Sequence, residues 1–309
     1  MKKNRITLFL STILFCTLIQ AQDKTKFKFG DISPKDFEPK AYSVDSNASA
    51  VVLADIGSGS IEGNRKSSFS EVFKHYRRAR ILNKNGYDLA DVQISLYTSG
   101  SSEEQLDKLR AVTYNLENGK VVETKLDLKS GVFEDKISKN TKVKKFTLPN
   151  IREGSIIEWE YSTTSDFITH LEPWIFQGAY PRVWSEFSLA MPEFLNYVFL
   201  TQGYQKYDIQ DRKERRENFS VMIDGGADRS ENYKFDAIVT DYRWVMKDVP
   251  ELKVESFTST LDNHIAKIEF QLSEQRNPLT YRNIMGTWKQ VADELMQSEY
   301  FGLQLKRDN

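Results

Sequence analysis

From about residue 69 to residue 272 the chain keeps returning to a two-residue rhythm of apolar and polar side chains. Val92, Ile94 and Leu96 alternate with Asp91, Gln93 and Ser95, the period of a strand with one face buried and one face wet. Asn118-Gly119 separates Val112-Thr113-Tyr114-Asn115-Leu116 from Val121-Val122-Glu123-Thr124. Asn-Gly tolerates the positive φ angles of a two-residue turn, so this pair predicts a hairpin. Further alternating runs cover 144–148, 155–162, 183–190, 197–201, 219–223, 234–246 and 265–272. Ala50 to Asp55 reads as one short strand, and Asn85-Gly86 stands before the strand at 91–96. Hardly a helical period interrupts them. About ten short strands joined by short turns favour antiparallel pairing, and an antiparallel β-sandwich buries their apolar faces.

Two stretches, one before this region and one inside it, read as loops. Gly57-Ser58-Gly59-Ser60-Ile61-Glu62-Gly63 lacks the Lys-Ser/Thr of a phosphate loop and has Glu62 where a dinucleotide fingerprint needs its third Gly. No helix pattern follows to aim amides at a phosphate, so a flexible loop is expected. Asp211-Arg212-Lys213-Glu214-Arg215-Arg216-Glu217 mixes both signs and reads as an exposed loop.

The rhythm changes near residue 276. Trp288, Val291, Ala292, Leu295 and Met296 fall at i, i+3, i+4, i+7 and i+8, an amphipathic helix stripe. Thr287 with Gln290 three residues on predicts a capping box. A helix of about ten residues does not hold itself together in water. Trp288, Val291 and Leu295 are therefore candidate partner-facing residues, expected to be partly exposed in this chain.

The other end carries an address. Lys2, Lys3 and Arg5 precede an apolar stretch from Ile6 to Ile19, and Ala21 offers a small residue before a cut at Gln22. Residues 1–21 thus read as a secretory signal peptide, their apolar run of about 14 residues being shorter than the roughly 20 that span a bilayer. An uncleaved anchor, or lipidation at Cys16, is the alternative, though Ile13-Leu14-Phe15 sets bulk where a lipidation signal wants a small residue. Cleavage leaves 40 basic against 44 acidic residues and no cysteine. No second apolar run of membrane length follows. The mature chain is expected to be exported, to the periplasm, the cell surface or the medium, without a membrane span and without disulfides. A near-neutral charge removes the basic face that a nucleic-acid binder requires.

No catalytic or metal constellation stands out. His75, His170 and His264 lie 95 and 94 residues apart, far from metal-ligand spacing, and read as surface or packed imidazoles. Gly-x-Ser-x-Gly does not occur. Adjacent carboxylates such as Glu103-Glu104 are common in solvated loops and do not by themselves set a glycosidase geometry. The composition implies no cofactor. Trp159, Trp174, Trp184 and Trp244 are either core rings or a stacking platform for glycans. Ile157, Trp159 and Tyr161 share a strand face, which favours the core.

The segment Phe146-Thr147-Leu148-Pro149-Asn150-Ile151-Arg152-Glu153-Gly154-Ser155-Ile156-Ile157-Glu158-Trp159-Glu160-Tyr161 resembles the domain-of-unknown-function family 3857. His75-Tyr76-Arg77-Arg78-Ala79-Arg80-Ile81-Leu82-Asn83 and Trp174-Ile175-Phe176-Gln177 with Tyr180-Pro181 resemble it too, so that the likeness covers roughly 45–275. It implies a secreted all-β domain, here 22–275, which commonly precedes a transglutaminase-like domain. Residues 276–309 then resemble a linker and the first helix of that next domain. Such a domain works through a Cys thiolate activated by His, and every position after Cys16 lacks Cys. The expectation is a non-catalytic module that binds or positions a partner domain, a peptide or an envelope polymer, with a glycan-stacking module as the alternative.

Overall fold

The alternating segments do pair as strands, more of them and longer than the rhythm alone marks. The computed structural model describes residues 27–307 apart from 41, 43, 65–68, 225–229 and 254–259; the signal segment with Ala21 and Gln22 lies outside the described residues. The strands are β1 (Ala50–Gly63), β2 (Phe69–Ile81), β3 (Asp91–Ser99), β4 (Ser102–Glu103), β5 (Gln105–Glu117), β6 (Lys120–Lys125), β7 (Phe133–Ser138), β8 (Thr141–Thr147), β9 (Ile156–Ser165), β10 (His170–Ile175), β11 (Arg182–Pro192), β12 (Leu195–Gln202), β13 (Ile209–Asp224), β14 (Ser230–Val249), β15 (Lys267–Gln275) and β16 (Arg282–Asn283). Helices α1 (Trp288–Gln297) and α2 (Gly302–Arg307) follow.

Eight strands form one large sheet in the order β13-β14-β11-β1-β2-β9-β5-β6. Two small sheets accompany it, β10-β15-β12 with β16 added beside β15, and β4-β3-β8-β7. Pairing is antiparallel except between β1 and β11, which run parallel. Asn118-Gly119 makes the expected two-residue turn, with φ of 50° and 75°, between β5 and β6.

Side-chain parity on β2 says how the layers stack. Phe69 and Phe73 enter a core shared with β10, β12 and β15, through Trp174, Tyr197 and Phe270. Ala79 and Ile81 enter a second core shared with β3 and β8, through Ile94 and Phe146. All four are odd-numbered residues of an unbulged strand, so they lie on one face. Both small sheets therefore stand side by side on the same face of the large one, and a seam runs between them. The opposite face, at Val112, Tyr114 and Ile156, is covered by Phe29, Ile32 and Phe37. Glu158 ties that cover down by accepting from Gly30 N–H (2.7 Å), Tyr76, Arg78 and Tyr114.

Gly57 to Gly63 is strand, not loop. The reason lies across the sheet, where a Cβ on Gly57 would sit 2.3 Å from Cζ3 of Trp174 and 2.9 Å from Cδ2 of Phe187. These two rings need a bare backbone, and glycine accepts the weak strand propensity that follows. Gly57→Ala should lower stability by about 1–3 kcal/mol, the usual range for overpacking, measured as a shift in denaturant midpoint at unchanged slope.

Asp211 to Glu217 is likewise strand rather than loop, within β13 at the edge of the large sheet. Its charges pair locally, Arg215 with Asp241 (2.8 Å) and Arg212 with Glu214 (2.8 Å). A charged edge resists pairing with other chains. The mixed signs belong to edge protection.

Candidate functional site

The seam between the two cores holds one cluster of charged side chains, Asp55, His75, Arg77 and Arg182. On β2, His75 and Arg77 fall between Phe73 and Ala79 on the inward face, and β1 sets Asp55 opposite Arg77. Parallel pairing of β11 with β1 brings Arg182 in from the far side. Asp55 is fully buried. Arg77 grips it with two bonds, Nε to Oδ1 and Nη2 to Oδ2, both 2.9 Å. Nη1 of Arg182 donates to Oδ2, and Nε2 of His75 lies 2.7 Å from Oδ1.

Aromatic rings wall this cluster. The His75 ring sits edge-on between Trp159 (4.7 Å) and Trp174 (4.8 Å), and its Nδ1 is 3.3 Å from the Tyr161 hydroxyl. The Arg77 guanidinium lies 5.1 Å over the Trp159 ring. Arg182 also donates to the Ile175 carbonyl (2.6 Å) and the Gln177 carbonyl (3.0 Å).

Protonation follows from this packing. Burial works to raise the Asp55 carboxyl, but Arg77, Arg182 and His75 outweigh it and hold it well below its ordinary value. Burial keeps the His75 imidazole below its usual value despite Asp55 beside it. Burial brings Arg182 down to about 10 against the pull of Asp55, with Arg77 adding to the shift. With the imidazole neutral, two guanidinium ions face one carboxylate.

A cleft of about 340 Å³ opens onto this wall. His75, Arg77, Arg182, Trp159 and Tyr161 form one side, and Asp88, Asp91 and Gln93 stand across from them. Asp88 accepts from the Tyr180 hydroxyl and Asp91 from Thr147.

Of the residues singled out from sequence, His75 is packed in this seam, whereas His170 and His264 are exposed and elsewhere. Among the described residues no three His, Cys, Asp or Glu side chains are grouped to hold a metal ion. Glu103 is engaged by Lys142 (2.8 Å), and Glu104 by the Ser165 hydroxyl (2.8 Å). Trp159, Trp174 and Trp244 are core rings. Trp184 is half-buried, donates to Glu186 (2.8 Å) and carries the Lys247 ammonium 5.2 Å above its ring. These four rings make no open stacking platform.

Helix α1 begins on the capping box that Thr287 and Gln290 predict. It packs on α2, and its stripe faces out: Trp288 is 90% exposed, and Val291, Leu295 and Met296 are exposed with it. Tyr300 and Phe301 extend the apolar surface. Among the described residues no helix is long and apolar enough to cross a membrane.

Residues 67–253 match the family model DUF3857, described as a "Domain of Unknown Function with solved-structure structure". The chain belongs to the DUF3857 family. The matched span holds β2 through β14, including His75, Arg77 and Arg182 of the seam. No curated protein matches the sequence. Among solved structures, a "putative protease" from Parabacteroides distasonis ATCC 8503 is similar, with a TM-score of 0.51 and 10% identity, over 73% of this chain and 41% of that one. That likeness is one of fold, and this chain spans about two fifths of that protein's length. A "putative nutrient binding protein" from Legionella pneumophila has a TM-score of 0.28 and 10% identity, over 72% of this chain and 67% of that one.

Asp55 and Arg182 escape sequence reasoning because nothing local marks them. Asp55 and Arg182 are 127 residues apart and meet only through the parallel pairing of β1 and β11. One signal was present: Glu71, Phe73, His75 and Arg77 alternate on a face whose ends are Phe69 and Ile81, so charged groups interrupt an apolar row.

Proposed function

We propose that this chain is a non-catalytic, exported DUF3857 module that positions a domain following it in the same protein, and that α1 is the contact. The observation that carries the reading is the outward stripe of Trp288, Val291 and Leu295 on a short helix that packs on α2. Removing a large apolar side chain from water is worth roughly 1.5–3 kcal/mol, and such a group exposed together marks an interaction surface. The similar fold from Parabacteroides distasonis sits in a chain of which this one covers 41%, which supports a larger setting for the module. Residues 22–275 form the module in this reading, and 276–309 lead into a transglutaminase-like neighbour. Export follows from the signal at 1–21, with cleavage between Ala21 and Gln22 and the mature protein in the periplasm, at the cell surface or outside the cell.

The gene and the stripe test this together. The reading frame beyond Asn309 is expected to continue into a domain supplying Cys, His and Asp. The chain alone should bind a hydrophobic dye, and a Trp288→Glu, Leu295→Glu double substitution should abolish that binding without moving the melting temperature. The chain joined to its following domain should not bind the dye. A stop codon directly after Asn309, or no dye binding by the chain alone, overturns the proposal.

A further inference from the structure

We infer that the seam cleft is a binding site for a small carboxylate ligand, held by Arg77 with Arg182 and Trp159 behind it. Three observations converge on an acceptor-bearing anion. The first is charge. Arg77 and Arg182 share the single carboxylate of Asp55, and the other acids of the cleft, Asp88 and Asp91, form no ion pair with either arginine and stand exposed across from them. A buried cation without full compensation is costly, and an incoming carboxylate relieves that cost.

The second is hydrogen bonding. Among the described residues five buried side-chain polar atoms lack a partner, and two of these, Nε1 of Trp159 and Nε of Arg182, are N–H donors on residues that line this one cleft. Buried donors in native proteins are nearly always satisfied, so the wall of this cleft carries donor capacity that the chain itself does not use. Nη1 of Arg77 adds a third donor, since Arg77 commits only Nε and Nη2 to Asp55. Arg77 remains 22% exposed, which leaves it reachable from the cleft.

The third is shape. About 340 Å³ is at the lower end of small-molecule sites, and the Trp159 and Tyr161 rings offer an apolar wall beside the guanidinium. A carboxylate head with a short apolar or aromatic body fits. The exposed carboxylates of Asp88 and Asp91 disfavour multiply charged anions at the mouth. This site is separate from α1, so it stands or falls independently of the partner-domain reading.

Calorimetric titration of the full chain at low salt with 3-phenylpropionate is the test, alongside 3-phenylpropanol and inorganic phosphate, with the indole N–H resonance of Trp159 followed by NMR. The carboxylate should bind saturably at one site and shift the Trp159 resonance, while the alcohol and phosphate should bind at least tenfold more weakly. Arg77→Gln should weaken binding of the carboxylate at least tenfold. Because Arg77 also supports the seam, Asp88→Asn provides a second variant at an exposed position, and it should tighten binding two- to threefold. Absence of saturable binding overturns the inference, as does equal binding of the alcohol or of phosphate. So does an Asp88→Asn chain whose affinity is unchanged or lower.

Discussion

Replacing Asp55 by Asn is expected to destabilise the chain by about 3–5 kcal/mol, the cost of leaving buried cations without their counterion. Arg77 and Arg182 would keep their charges in the seam with no carboxylate to receive them. At roughly 2–4 °C per kcal/mol for a domain of this size, the melting temperature should fall by about 10 °C. The effect has a pH signature with a definite sign. The Asp55 carboxyl is held below its ordinary value, so its contribution is present above the unfolded value near 3.8 and is lost as pH falls through the lower folded value. The gap between the native chain and Asp55→Asn should be full at pH 7 and narrow at acid pH below about 4. Urea midpoints at several pH values measure it. A pH-independent difference, or one below 1 kcal/mol at pH 7, would mean that the charge cluster does not hold the two cores together.

That cluster also marks the limit of what could be read before the structure. The hairpin at Asn118-Gly119 and the capped helix at Thr287 were legible because each rests on residues within a few positions of one another. The alternation from 91 to 96 was legible for the same reason, since strand period is a local property. Gly57 was misleading because the cause of its smallness is the Trp174 ring, more than a hundred residues away in sequence and adjacent in space. The charged run at 211–217 was misleading in the opposite sense. Its solvated appearance is correct, but an edge strand is solvated too, and only the pairing with β14 distinguishes it from a loop. The seam combines both difficulties. Asp55 sits in a run that reads as a short apolar strand, and Arg182 stands just before the alternating run at 183–190. Their meeting depends on a parallel pair inserted into an antiparallel sheet, a choice made by the whole topology. The exposed stripe of α1 was local and legible, whereas the donors around the cleft were not.

Glu71 provides the second large effect, with the opposite dependence on pH. It lies on the same inward face of β2 as His75 and is almost wholly buried. Its Oε2 accepts from the Glu172 amide at 3.0 Å, and its Oε1 has no partner. Burial, reinforced by the carboxylates of Glu172 and Glu104 against that one hydrogen bond, raises its pKa to about 8. The folded chain therefore holds this proton more tightly than the unfolded chain, whose carboxyl titrates near 4.5. Stability from Glu71 is complete below about pH 4.5 and declines as pH rises toward 8. The slope within that window approaches 1.4 kcal/mol per pH unit, the free-energy equivalent of one pKa unit, so that about 3 kcal/mol is lost by pH 7. A Glu71→Gln chain keeps an oxygen for the Glu172 amide and cannot ionise. Its stability at pH 5 should be lower than native by about 1–3 kcal/mol, because the amide NH2 lacks acceptors in that pocket. Its stability at pH 8.5 should exceed native, so the two curves cross between. Denaturant midpoints at half-unit steps from pH 5 to 9 decide the matter. Parallel curves would mean that Glu71 is ionised in the folded chain throughout, and that an unseen partner satisfies Oε1.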